Sequence, residues 1–182
     1  MLKHLCKFIL IAGLITALSG CVSLGHLNYK QARMLKKQGF TLTEEGWTLR
    51  LPEKLLFGFD QSDIQASQKP ALEALSKQLQ QYNLNKIKVV GHTDNIGDPS
   101  YNQTLSEKRA STVSQIFIET GFKTQNIQSM GRGASQPLVE NSSEENRALN
   151  RRVNIITIPQ APLLYALPLA FPTNPFLCTL LT

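Results

Sequence analysis

Cysteine is scarce in this chain, and where it falls excludes more than its number does. The three cysteines are Cys6, Cys21 and Cys178. None forms a CxxC pair and the spacing fits no zinc site, so neither a disulfide framework nor a metal centre is expected. Long apolar runs are also missing. The uncharged run Phe8 to Leu18 is short for a bilayer span, which needs about 20 residues. Charge is absent from the far end, where nothing after Arg152 is ionised. There is no GxSxG nucleophile motif. Gly131-Arg132-Gly133 lacks the third glycine and the preceding context of a dinucleotide loop. An enzyme, a cofactor and a nucleic-acid partner are therefore not expected. What is present is ordinary core material: 42% of the residues are hydrophobic, which excludes wholesale disorder.

The N-terminus reads as an address. MLKHLCKFILIAGLITALSGC has a short basic segment, an apolar stretch and small residues before Cys21, the layout of a secretory signal peptide over residues 1–20. LSGC resembles the bacterial lipobox, in which the cysteine becomes the acylated first mature residue. That resemblance implies lipidation of Cys21, and Val22 in place of Asp implies sorting to the outer membrane. Several acyl chains would give a firm anchor, since each buried methylene contributes about 0.8 kcal/mol. Losing Lys3 and Lys7 from a formal charge of +6 leaves about +4, a mild basic bias.

Residues 21–45 read as the lipidated cysteine and a tether with one short helix, Tyr29 to Gln38, ended by Gly39. Fully extended, the tether would reach roughly 80 Å. GWTLRL places Trp47, Leu49 and Leu51 at period two, a half-buried strand. Lys54 to Phe59 is a second apolar stretch, followed by a turn at Asp60, Gln61 and Ser62. Ser67 to Tyr82 has helical spacing at Leu72, Leu75 and Leu79. Lys86 to Gly91 alternates like a strand. Thr104 to Gly121 reads as a helix opened by a capping box at Thr104 and Glu107. Asn126 to Met130 is a strand, Ser142 to Asn150 a short helix and Val153 to Ile158 a closing strand. The expected domain, residues 46–159, is α+β, a β-α-β-α-β-β chain with a mixed sheet covered by helices. The crossovers Phe59 to Ile87 and Val89 to Ile127 are long enough for parallel connections. Residues 160–182 form a Pro-rich apolar tail. It reads as a disordered segment, a segment that docks on a membrane or partner, or the product of a frameshifted gene end.

The stretch GHTDNIGDPSYNQTLSEKRA holds Asp94 before a polar bend and Arg109 after it. By chemistry alone the pair is either a salt bridge closing a loop or a socket for a zwitterion. In the second reading Asp94 accepts from an ammonium and Arg109 forks onto a carboxylate. His92 lies two residues from Asp94, which hints at a metal or a base, but two ligands do not make a zinc site. His92 reads better as part of a strand. Alternation sends Arg151 and Arg152 to opposite sheet faces, so at most one of them faces a ligand.

GHTDNIG, YNQTLSEKRA and NRRVNI, in that order, resemble the OmpA-like peptidoglycan-binding family. FGFDQSDI is similar to the first strand and turn of its peptidoglycan-associated lipoproteins. The resemblance implies a β-α-β-α-β-β domain that grips the diaminopimelate of a stem peptide without catalysis. It implies Asp94 and Arg109 as the ammonium and carboxylate contacts, Asp60 and Arg152 beside them, and Asn102 and Leu105 shaping the loop. QARMLKKQGFTLTEEGWTLRLPEKLLF resembles the linker and first strand of YfiB-type lipoproteins. That implies outer-membrane location facing the periplasm. It also implies a periplasmic YfiR-like repressor as partner, which otherwise holds a diguanylate cyclase off. A tether of the peptidoglycan-associated type, joining membrane to wall without signalling, is the alternative.

Overall fold

The computed structural model describes residues 27–58 and 61–158. The first described helix, α1 (Tyr29–Lys37), begins at Asn28 in a reciprocal capping box with Gln31. A helix this short is marginal by itself. It is held because Ala32, Met34 and Leu35 are buried in the main core and because Gln31 donates to the Tyr82 carbonyl at 2.8 Å. Part of the stretch expected as tether is therefore packed into the folded body. The roughly 80 Å limit of a fully extended tether does not apply to that part.

Strand β1 (Thr41–Thr43) pairs antiparallel with β2 (Gly46–Pro52) in a hairpin. It went unseen in the sequence because three residues are too few to show a period. Next comes α2 (Glu53–Leu56), where an extended apolar stretch was expected. Pro52 followed by Glu53 is a helix-start signal, and Phe57 makes only an isolated bridge with Ile64. Then follow α3 (Lys69–Gln81), β3 (Ile87–His92), α4 (Pro99–Glu119), a 3-10 turn (Thr124–Asn126), β4 (Ile127–Gly131), α5 (Glu144–Asn150) and β5 (Arg152–Thr157). Helix α4 starts a turn earlier than expected, because Asp98 caps it through Tyr101 N at 2.8 Å and Pro99 suits its first position. Thr104 instead turns its hydroxyl back to the Ser100 carbonyl.

The sheet has five strands in the order β1-β2-β5-β3-β4. Only β3 and β4 are parallel neighbours. β2 and β3 also run the same way, but β5 lies between them, antiparallel to both. The sheet is mixed and the fold α+β, as expected.

Register sorts the faces. Trp47, Ile87, Val89, Val153 and Ile155 join Leu35, Leu79, Val113 and Phe117 in the helix-covered core. The alternate positions of β2, β5 and β3 face away. There Arg50, Asn154 and Val90 stand in one row, and Pro52, Arg152 and His92 in the next.

Glycine lets α4 lie against the sheet. A Cβ on Gly91 would strike the Ser106 carbonyl oxygen, and one on Gly131 would meet Ser106 and the Glu107 main chain. The helix that carries Asn102 and Arg109 is thus fixed directly over β3 and β4. Gly91→Ala is expected to lower unfolding free energy by about 1–3 kcal/mol through overpacking, read from urea denaturation.

Candidate functional site

The C-terminal end of β3, the bend before α4, helix α2 and the junction of α5 with β5 converge on a cleft of about 580 Å³. The bend is built by local hydrogen bonds. Asp94 Oδ1 accepts from Ile96 N at 3.0 Å, and Asn102 Nδ2 donates to the Ile96 carbonyl at 2.8 Å. Gly97, at φ 93°, supplies a conformation that other residues disfavour. Leu105 lines the cleft, and Ile96 and Tyr101 stand exposed at its rim.

Asp94 and Arg109 both line this cleft and both are buried, with 7% and 3% of their surface exposed. They have different partners. Arg109 Nη2 donates to Glu53 Oε1 at 2.5 Å, and Nε donates to the Gln61 carbonyl at 3.0 Å. Its guanidinium lies over the Phe57 ring at 5.3 Å, an arrangement that favours the cation. Asp94 Oδ2 accepts from Arg151 Nη1 at 2.5 Å. Arg151 reaches further, with Nη2 2.7 Å from Glu144 Oε1 and Nε 3.1 Å from Glu53 Oε2. That last contact is at ion-pair distance but poorly aligned, since Glu53 Oε2 is buried without a hydrogen bond.

Burial alone would lower the affinity of Arg151 for its proton. Hydrogen bonds to Asp94 and Glu144 outweigh that, and the net shift is upward. Glu144 is held below the usual carboxylate range, first by Arg151 and then by Arg147.

Arg152 is not brought to the cleft. Its guanidinium donates to the Asn150 and Gln136 carbonyls at 3.1 and 3.2 Å. Burial, with Arg50 nearby, lowers its pKa to about 10. Arg151 lines the cleft instead, because β5 begins only at Arg152 and Arg151 is the C-cap of α5. Alternation along a strand does not apply to a residue before the strand. Asp60 lies outside the described residues, as does Cys21.

Glu53, Glu144 and Phe57 were not picked out as site residues from the sequence, and Arg151 entered only as the alternative to Arg152. Glu53 had one signal, its place directly after Pro52. Glu144 and Arg151 are joined by the seven-residue α5, too short to show a charged face by periodicity.

His92 does not share a site with Asp94. It faces away from the helices, with Nε2 3.4 Å from Asn154 and Nδ1 buried without a partner. Among the described residues no group of His, Cys, Asp and Glu could hold a metal ion, and no helix is long and apolar enough to cross a membrane.

Comparison with known proteins adds the lineage. Residues 56–151 match the OmpA family. The chain belongs to the OmpA family. It is 37% identical over 146 residues to the outer-membrane lipoprotein YfiB of Pseudomonas aeruginosa, covering 79% of this chain and 87% of that one. It is 32% identical over 114 residues to the peptidoglycan-associated lipoprotein of Legionella pneumophila, covering 62% of this chain and 65% of that one. Among solved structures it is similar to a putative MotB-like protein from Desulfovibrio vulgaris, with a TM-score of 0.64 and 25% identity, over 74% of this chain and 90% of that one.

Burial, and secondarily Arg152, pushes the His92 imidazole down to about 3 from 6.5. The unfolded chain therefore binds a proton that the folded chain refuses. His92 contributes nothing adverse above pH 6.5, and stability falls as pH drops from 6.5 toward 3. The slope is up to about 1.4 kcal/mol per pH unit from this group. In thermal melts the stability of wild type relative to His92→Gln should fall as pH is lowered from 7 to about 5; a pH-independent difference would contradict the burial penalty.

Proposed function

We propose that this cleft receives the zwitterionic end of diaminopimelate in a peptidoglycan stem peptide and holds it without covalent chemistry. In this reading Asp94 accepts from the ligand ammonium and Arg109 pairs with its carboxylate. Asn102 keeps the bend in shape and Leu105 packs against the ligand stem. The observation that carries the reading is a pair of buried, opposite charges lining one cleft, Asp94 on the bend just after β3 and Arg109 on α4. A zwitterion satisfies both at once, and a fixed guanidinium fork suits a carboxylate. A ligand's two charges would meet these groups out of bulk water, where screening is weak.

Membership of the OmpA family and similarity to outer-membrane lipoproteins support placing the domain in the periplasm, anchored to the outer membrane through Cys21. Similarity to YfiB supports the signalling role: the protein senses the state of the envelope and sequesters a YfiR-like repressor, releasing a diguanylate cyclase. The second reading, a tether joining membrane to wall, draws on the similarity to a peptidoglycan-associated lipoprotein. Both roles use the same cleft. Deletion of the gene separates them, since altered cyclic-di-GMP follows from the sensor and envelope leakage from the tether.

Purified sacculi test the binding site. Wild-type protein should be retained at moderate salt and released by free diaminopimelate. The double variant Asp94→Ala, Arg109→Ala should be retained at least about tenfold less. Equal retention of wild type and variant would refute the site.

A further inference from the structure

The cleft holds charges of its own where a zwitterion would sit. The Glu53 carboxylate lies on Arg109 at 2.5 Å, and the Arg151 guanidinium lies on Asp94 at 2.5 Å. The two are themselves 3.1 Å apart, from Arg151 Nε to Glu53 Oε2. Each half of a bound amino acid therefore has an internal counterpart: a carboxylate on the arginine, a cation on the aspartate, and the two joined. Their backbones are joined too, since Glu53 N donates to the Arg151 carbonyl at 3.0 Å.

We propose that the Glu53–Arg151 pair is a built-in surrogate for the ligand, and that it sets both the affinity and the selectivity of the cleft. The proposal rests on the reading of the cleft as a zwitterion receptor. A ligand gains only the difference between its own ion pairs and those it displaces. The displaced Arg151 has a place to go, because Glu144 already holds its Nη2 at 2.7 Å and is 61% exposed, able to follow. The displaced Glu53 has no second cation besides Arg151 within ion-pair distance among the described residues. The pair therefore leaves as a unit. A ligand with a carboxylate alone that evicts the pair takes Arg109 but leaves the buried Asp94 without a cation. A ligand with an ammonium alone takes Asp94 but leaves the buried Arg109 without a carboxylate. Either exchange strands a buried charge, whereas a zwitterion meets both. The surrogate thus turns two independent charge contacts into a requirement for both charges on one molecule, a device that works by penalising the wrong ligand.

Calorimetric titration of the full chain in detergent tests this with diaminopimelate, pimelate and cadaverine as probes. These supply both charges, the carboxylates alone and the ammoniums alone. Wild type should prefer diaminopimelate over either of the others by at least about tenfold. Glu53→Gln should bind diaminopimelate about five- to tenfold more tightly and gain measurable pimelate binding without gaining cadaverine. Arg151→Met should show the reverse selectivity. Glu53→Asp keeps the charge but shortens its reach, so it should move affinity in the same direction as Glu53→Gln. It serves if the glutamine variant melts early. Unchanged or weaker binding by the Glu53 variants would overturn the surrogate. Arg109→Ala separates the layers. If it loses diaminopimelate while Glu53→Gln gains nothing, the surrogate alone fails. If it binds like wild type, the cleft itself is not the receptor and both readings fail.

Discussion

Arg151 is the group on which the charged end of this domain depends. One guanidinium bridges Asp94 on the bend after β3, Glu53 on α2 and Glu144 on α5. Those segments are distant in sequence. A planar fork with several donors can tie them together where a lysine could not. Glu53 then carries the connection on to Arg109, which is clamped between that carboxylate, the Gln61 carbonyl and the Phe57 ring. Asp94, Arg109, Glu53, Glu144 and Arg151 are thus balanced against one another, each within ion-pair distance of a neighbour.

The balance needs a stiff frame, and the sheet supplies it. β5 is buried along its whole length between β2 and β3. Helix α4 is pressed onto β3 and β4 through glycines that leave no room for a side chain. Asp94 follows β3 directly and Arg109 sits in the third turn of α4, so the packing of helix on sheet sets their separation. The bend between them is held by its own hydrogen bonds from Asp94 and Asn102. Small shifts of side chains, not of elements, are therefore what the cleft has available for exchanging one counter-ion for another.

Much of this was legible in the sequence. Period-two runs gave β2 and β3, the closing strand expected at Val153 to Ile158 lies one residue from β5, and helical spacing at Leu72, Leu75 and Leu79 gave α3 with ends only a residue or two off. Asp94, Arg109, Asn102 and Leu105 were picked out by residue type and by resemblance, and all of them line the cleft. The misses have physical causes. Helix α2 is four residues long, too short for any period, and it carries Glu53. The start of α4 was set by Asp98 and Pro99, a stronger signal than the Thr104–Glu107 pattern. Arg151 and Arg152 differ in role because Arg151 caps α5 and Arg152 opens β5, a boundary that falls between adjacent residues and that sequence pattern does not resolve. Counter-ions contributed by distant segments, such as Glu53 to Arg109, are set by tertiary packing and leave no local pattern.

In the proposed exchange the cleft trades its own ion pairs for those of a zwitterion. A crystal structure of the chain with a diaminopimelate-containing stem tripeptide tests it most directly. The ligand carboxylate should lie on Arg109 and its ammonium on Asp94, with Glu53 withdrawn and Arg151 resting on Glu144. A tripeptide seated elsewhere, with Glu53 still on Arg109 and Arg151 still on Asp94, would contradict it.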